Sequence, residues 1–161
     1  MTIKRLDPRN YNNLMGTSSG DEINQTHLIL GFLDFDFDPA LITEKIGLEP
    51  LSVGRKGDTY FIGPQKDIPR TRECSHWDYE RNAKTNEFAG DLIANFCDEI
   101  IRPRVNAIKE IGLGCEITRF TVVQYFRAGR NPGFCFEKEQ IEMLANIGAE
   151  IDMDIYCLAD Q

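Results

Sequence analysis

The fold is decided by residues 27–37, which read His27-Leu-Ile-Leu-Gly-Phe-Leu-Asp-Phe-Asp-Phe37. This stretch is dense in residues that favour strands, and towards its end Leu33, Phe35 and Phe37 alternate with aspartates. Because successive side chains of a strand point to opposite faces of a sheet, the alternation predicts a strand with one buried face. We take it as the first strand of the domain.

A helix start follows directly after this strand. Asp38 is a good capping residue, and Pro39 suits the first helical position because the N–H that proline lacks would have no partner there. Gly47 marks the end, since glycine readily adopts the left-handed conformation that closes many helices. The sequence therefore predicts a short helix between Pro39 and Gly47.

Further along the chain, hydrophobic periodicity predicts more strands and helices. The strands are expected at 75–79, 116–127 and 149–158, and a short one at 59–62 within a long, mostly irregular connection at 48–73. Helical patterns cover 88–111, where Pro103 divides or kinks the helix, and part of 134–146.

These elements indicate an α+β fold class. We expect a single domain over residues 23–161, with a largely antiparallel sheet of four or five strands and helices packed on one face. Residues 1–22 are polar, lack apolar periodicity and are expected to form a flexible N-terminal arm.

Composition narrows the function classes. The 161 residues carry a formal net charge of −8, which disfavours nucleic acid as a partner. The sequence contains neither a secretory signal nor an apolar run long enough to span a membrane, so we expect no membrane partner and a cytoplasmic location. The 5 cysteines include no C-x-x-C pair, so reduced thiols are expected, with no structural metal and no cofactor.

The glycine-rich turn at 54–58 is a candidate binding site. Gly57 lets the backbone turn sharply, Arg55 could present a bidentate donor to an anion, and Asp58 could hold the turn through its side chain. The alternative, which we favour, is that Arg55, Gly57 and Asp58 brace the loop, because charged turn motifs usually do so.

Trp77 is a second candidate. As the sole tryptophan of the chain it could offer a large amphipathic platform to a partner. A tryptophan in a predicted strand more often belongs to the core, with its N–H bound to a carbonyl, so both interpretations stay open.

The C-terminal segment is strongly acidic. Residues 135–161 hold seven acids and one base, and Asp152 and Asp154 alternate with apolar residues in the last predicted strand. Such a face can attract a basic protein, although a plainly solvated outer face has the same pattern.

No serine–histidine, cysteine–histidine or paired-carboxylate grouping indicates catalysis, so the sequence names no catalytic residue.

Several short motifs, taken in order, resemble a bacterial family known as domain of unknown function 4279. They are Phe35-Asp-x-Asp-Pro39, Ile46-Gly-Leu-Glu-Pro50, Arg55-Lys-Gly-Asp58, Trp77, Pro103 and Ile147-Gly-Ala-Glu-Ile-Asp-Met-Asp-Ile-Tyr156, within about residues 25–158. The resemblance implies a compact α+β fold and carries no activity to any residue. Some small acidic proteins of this kind resemble immunity proteins, which neutralise a toxin from a neighbouring bacterium.

The leading functional hypothesis is a non-catalytic protein-binding domain of the immunity type, whose acidic face or edge strand engages a basic partner. The alternative is a small-molecule or anion-binding domain, with or without enzymatic activity, that uses the Gly54–Asp58 turn. Homodimerisation through an exposed strand edge is a third possibility.

Overall fold

The structure is a computed structural model that describes residues 24–84, 87–127 and 133–158. The predicted arm at 1–22 lies outside the described residues. The described helices include none that is both long and apolar enough to cross a bilayer.

A five-stranded sheet forms the centre of the fold, and its strands lie side by side in the order β2 (Ser52–Gly54), β5 (His76–Lys84), β1 (Gln25–Leu33), β6 (Ile117–Arg127) and β7 (Ala149–Leu158). β1 pairs antiparallel with both β5 and β6, β2 pairs antiparallel with β5, and β7 runs parallel to β6. The predicted α+β class with a largely antiparallel sheet is therefore confirmed.

The first strand ends earlier than the sequence predicts. β1 stops at Leu33, and Asp34 has a positive φ of 50°, which turns the chain out of the sheet. Phe35 and Phe37 therefore lie beyond the strand and stack on one another, with ring centroids 4.8 Å apart. The alternation that indicated a longer strand instead places two aromatic rings against the helices.

The long connection contains a small hairpin. β3 (Thr59–Ile62) matches the short strand that the sequence predicts, and it pairs with β4 (Ile68–Thr71), which periodicity did not indicate. All eight hairpin residues are exposed, so no buried face imposes an alternating pattern on β4.

The helices cover one face of the sheet. They are α1 (Ala40–Ile46), α2 (Ala89–Phe96), α3 (Val105–Gly112) and α4 (Lys138–Asn146). Between α2 and α3 the chain stays helical through a π turn at Cys97–Ile101 and a 3-10 turn at Arg102–Arg104, which is how it accommodates Pro103. The core lies between these helices and the inward side chains of the central strands, including Leu30, Phe32 and Phe120.

The parallel strand β7 is reached through α4. A parallel neighbour needs a crossover connection, and α4 lies between β6 and β7 in the chain. β7 is an edge strand of the sheet, with no strand beyond it among the described residues.

A side-chain hydrogen bond of Trp77 connects the sheet to a helix. Its indole Nε1–H donates to Thr43 Oγ1 at 3.0 Å, which joins β5 to α1. Thr43→Val keeps the side-chain shape but leaves the buried indole donor without its partner, so we expect a loss of about 1–2 kcal/mol in the free energy of unfolding. Urea denaturation measures the change. Thr43→Ser keeps the hydroxyl and should lose clearly less; an equal loss in both variants would contradict this role of the hydrogen bond.

Candidate functional site

The glycine-rich turn is braced from within. Asp58 Oδ2 accepts the backbone N–H of Arg55 at 3.0 Å, and Gly57 has a positive φ of 90°. The Arg55 guanidinium forms an ion pair with Asp38, and this pairing holds the pKa of the Asp38 carboxyl below its usual value. Because the guanidinium already has an anionic partner, the geometry favours the bracing role of Arg55, Gly57 and Asp58 over an anion site.

Trp77 lies in the core. Its side chain is 0% exposed and packs 5.8 Å, centroid to centroid, from Phe32. A side chain with no exposed surface cannot serve as a docking platform, so the surface interpretation of Trp77 is replaced by the packing one. The indole N–H is bound as that interpretation requires, although the acceptor is the Thr43 hydroxyl and not a carbonyl.

Asp152 and Asp154 lie on β7. Asp154 is exposed and Asp152 is half-buried, and both side chains share the sheet face that the helices leave open. On the other side of β7, Ile151, Met153 and Ile155 are 40%, 48% and 49% exposed. The alternation that predicts the strand is therefore present, but its apolar side is only partly covered.

The open face of the sheet carries a transverse row of polar residues. The strand registers place Ser52, Asp78, Gly31, Arg119 and Glu150 side by side across β2, β5, β1, β6 and β7. Gly31 lies directly between the carboxyl of Asp78 and the guanidinium-bearing Arg119. A Cβ atom at Gly31 would lie only 2.7 Å from Asp78 Oδ1, so a larger residue would have to displace the carboxyl that leans over β1.

Burial makes Asp78 the most perturbed carboxyl of this row. Partial burial raises its pKa from 3.8 to about 6, and the positive charge of Arg119 opposes part of that rise. Arg119 itself lies toward β7, with guanidinium nitrogens 3.7 Å from a Glu150 oxygen and 3.9 Å from an Asp152 oxygen.

A groove of about 390 Å³ runs over this row. Its lining combines polar side chains with an apolar floor: Ile29, Gly31, Leu33, Leu51, Ser52, Asp78, Glu80, Arg119 and Thr121. At its margins, Glu80 is bound by Nδ1 of His27, and Ser52 Oγ lies 2.9 Å from His76 Nε2. Burial, helped by the nearby charge of Arg72, lowers the pKa of His76, so its ring is neutral near pH 7.

Sequence reasoning did not identify this groove. Its walls come from β2, β5, β1 and β6, which lie far apart along the chain. One local signal was present: Gly31 interrupts an otherwise apolar strand, and a glycine inside a strand often marks the close approach of another group.

A larger cleft of about 590 Å³ lies on the helix side, between α1 and α3. Its charged residues include Lys45 and Glu110, which form an ion pair with each other, and its remaining walls are mostly apolar. It brings together fewer polar groups than the groove on the open face.

Burial makes two of the cysteine thiols poor nucleophiles. All five cysteines are free, and burial raises the pKa of Cys97 and Cys115 to about 11, which keeps both protonated at neutral pH. Within the ranges that the structure covers, no three histidine, cysteine or acidic side chains are placed to hold a metal ion.

The family model described as Domain of unknown function (DUF4279) matches residues 24–158, almost the whole of the described chain. No curated protein and no solved structure matches the sequence. The family description names no activity, so any functional conclusion depends on the geometry above.

The raised pKa of Asp78 makes stability depend on pH. Its unfolded carboxyl titrates near 3.8 and the folded one near 6, so between these values the folded state binds more protons. The free energy of unfolding therefore falls as the pH rises through this window.

Asp78→Asn removes the ionisation and should be more stable than the wild type by about 1–2 kcal/mol at pH 7.5, after allowance for solvent screening, and nearly equal to it at about pH 4. Urea denaturation at both pH values measures the difference. Asp36→Asn, at an exposed position, is the control and should show no such dependence. A constant difference between Asp78→Asn and the wild type at both pH values would contradict the role of burial.

Proposed function

The chain belongs to the DUF4279 family, and we propose from the geometry of β7 that it is a non-catalytic protein-binding domain that engages a basic partner. The observation that carries the proposal is the position of β7 at the sheet edge, with Asp152 and Asp154 on one side and exposed apolar side chains on the other. The partner is met in the cytoplasm, the compartment that the sequence favours.

The mode of binding that this edge favours is strand addition. A parallel strand pair uses only half of the backbone N–H and C=O groups of β7, so the other half point away from β6. Proteins usually protect long edge strands with charged side chains, proline or a bulge, and the protection on the 10 residues of β7 consists of acids alone, which repel an acidic strand but not a basic one. An extended segment with alternating basic and apolar residues would match both sides of β7.

A second copy of the same chain matches this edge less well. If two β7 strands pair antiparallel around Met153, Asp152 of each copy faces Asp154 of the other. Centring the pair on Asp152 or Asp154 also sets acid against acid. Like charges directly opposite destabilise a strand pair, so charge complementarity favours a different, basic partner over a homodimer.

The specific role that we propose is that of an immunity-type protein. A small acidic domain that covers the basic active surface of a toxin would neutralise it without chemistry of its own. Acidic side chains on a rigid strand also raise the association rate with a basic protein.

Charge reversal tests the proposed surface. The full chain, its Asp152→Lys/Asp154→Lys variant and a Glu139→Lys/Glu142→Lys variant are used as baits in an extract of the native host. The control pair lies on exposed positions of α4 and makes the same change in net charge. We expect a basic protein bound by the wild type and the control, and bound at least about tenfold more weakly by the β7 variant, a difference of about 1.4 kcal/mol.

Two results would overturn the proposal: equal capture by all three baits, or no captured protein that carries excess positive charge. The immunity role has a further test, because co-expression of the chain should protect cells from the captured protein if that protein is toxic. Lack of protection against a toxic, captured partner would remove the immunity role.

Hydrogen exchange distinguishes strand addition from side-chain docking. In β7 alternate residues direct their N–H groups away from β6. Binding by strand addition should slow the exchange of these outward amides by about tenfold or more, while the amides already bonded to β6 change little. The measurement is amide exchange by NMR on the free chain and on its complex. Unchanged exchange along 149–158 in the complex would exclude strand addition.

A further inference from the structure

The groove on the open face contains one carboxyl without a partner. Arg119 is opposed by Glu150 and Asp152, at 3.7 and 3.9 Å, and Glu80 is held by His27. Among the residues that the structure describes, the half-buried carboxyl of Asp78 makes no hydrogen bond and no ion pair. Half-buried carboxylates are normally matched by donors, so Asp78 is the point in the groove where a ligand would gain most.

The Asp78 carboxyl lies within a groove that apolar residues border. Gly31 contributes no side chain, and the carboxyl of Asp78 leans into the space that a side chain would fill there, with Oδ1 2.7 Å from the position of a Cβ atom. Ile29 and Leu33 border this gap along β1, and Leu51 lies at the β2 side. A group that meets this carboxyl can therefore place an aliphatic stem on the apolar residues beside it.

The charge of the groove favours a cation. Besides Asp78 and Glu80, the neighbouring carboxylates of Glu150 and Asp152 face the same side of the sheet, and Arg119 is the cationic residue of the lining. Because Arg119 lies toward these two β7 carboxylates, its charge is already opposed on the side away from Asp78. Arg119 still acts on Asp78, but in and beside the groove its guanidinium is outnumbered by the carboxyl groups of Asp78, Glu80, Glu150 and Asp152, and this excess favours an added cation over an added anion.

We propose that this groove seats an arginine side chain of the basic partner, with the guanidinium donating to the Asp78 carboxylate and the stem lying on Ile29 and Leu33. The inference rests on the proposed function for the source of the arginine, and on the groove itself for the chemistry. A guanidinium suits the site better than an ammonium because it is planar, more weakly hydrated and able to bind a carboxylate through two N–H groups. Arginine is also among the residues that most often anchor protein interfaces.

The test uses a small probe and the full chain. N-acetyl-arginine amide is titrated into the ¹⁵N-labelled protein, and N-acetyl-citrulline amide, which has a urea group in place of the guanidinium, is the neutral control. We expect saturable shifts of the amide signals of Gly31, Ser52 and Asp78 with the arginine probe, and binding of the citrulline probe at least about fivefold weaker. Equal binding of both probes would overturn the inference.

Two variants locate the site. Asp78→Asn should weaken the arginine probe at least about fivefold, whereas Asp36→Asn, at an exposed position away from the groove lining, should leave it unchanged. Thr121→Lys places a cation in the groove and should also weaken binding of the arginine probe. Because there are two groove variants, the test still gives an answer if one of them folds poorly. Full affinity in a folded groove variant would refute the arginine seat.

Failure of this inference is distinguishable from failure of the proposed function. If the arginine probe shifts only the amide signals of β7 and binds Asp78→Asn as tightly as the wild type, the proposed arginine site is refuted. Capture of the partner through Asp152 and Asp154 still stands in that case. If the probe binds at Asp78 but charge reversal on β7 leaves partner capture unchanged, the groove site stands and the proposed docking on β7 is refuted.

Discussion

The burial of one face of β1 is the constraint on which the rest of the structure depends. β1 is bonded on both sides, to β5 and β6, and its inward side chains Leu28, Leu30 and Phe32 are almost completely buried beneath the helices. Because the side-chain period of a strand is two, this commits the intervening residues to the opposite face. The covered face and the open face of the sheet therefore both follow from this alternation. The groove exists because Gly31 falls on the face that the helices do not cover.

The open face brings more polar and charged side chains together than the cleft on the helix side does. Its registers bring a hydroxyl, two carboxyls and a guanidinium into one row across five strands. The central strands are held by bonds on both sides, so the row is a rigid array, while β7 at its end has no further strand beside it in the part of the chain that the structure describes. A rigid acidic surface next to an open strand edge combines the electrostatic attraction and the backbone pairing that a protein-binding domain can use.

The turn at 54–58 and Trp77 are both candidate binding sites in the sequence, and in the structure their side chains mainly stabilise the fold. Asp58 binds the backbone of its own turn, and Arg55 is held by Asp38, so the charged residues of that loop stabilise it locally. Trp77 and Asp78 are neighbours in the chain but lie on opposite faces of β5. One is buried with its N–H bound, and the other leans over Gly31 into the groove. Asp78, the neighbour of Trp77 in the chain, is therefore the residue with the shifted pKa and the unpaired carboxyl.

The sequence by itself determined the elements that depend on local patterns: the α+β class, β1 and its following helix, the helical region that Pro103 interrupts, and the alternation of β7. Periodicity and capping are properties of neighbouring residues, so they can be read from one chain. Tertiary structure alone decided the parallel pairing of β7, the exposure of Ile151, Met153 and Ile155, and the meeting of Asp78 with Gly31 and Arg119. These depend on which strands become neighbours and where the helices stop covering the sheet, and both follow from contacts between residues distant in the chain.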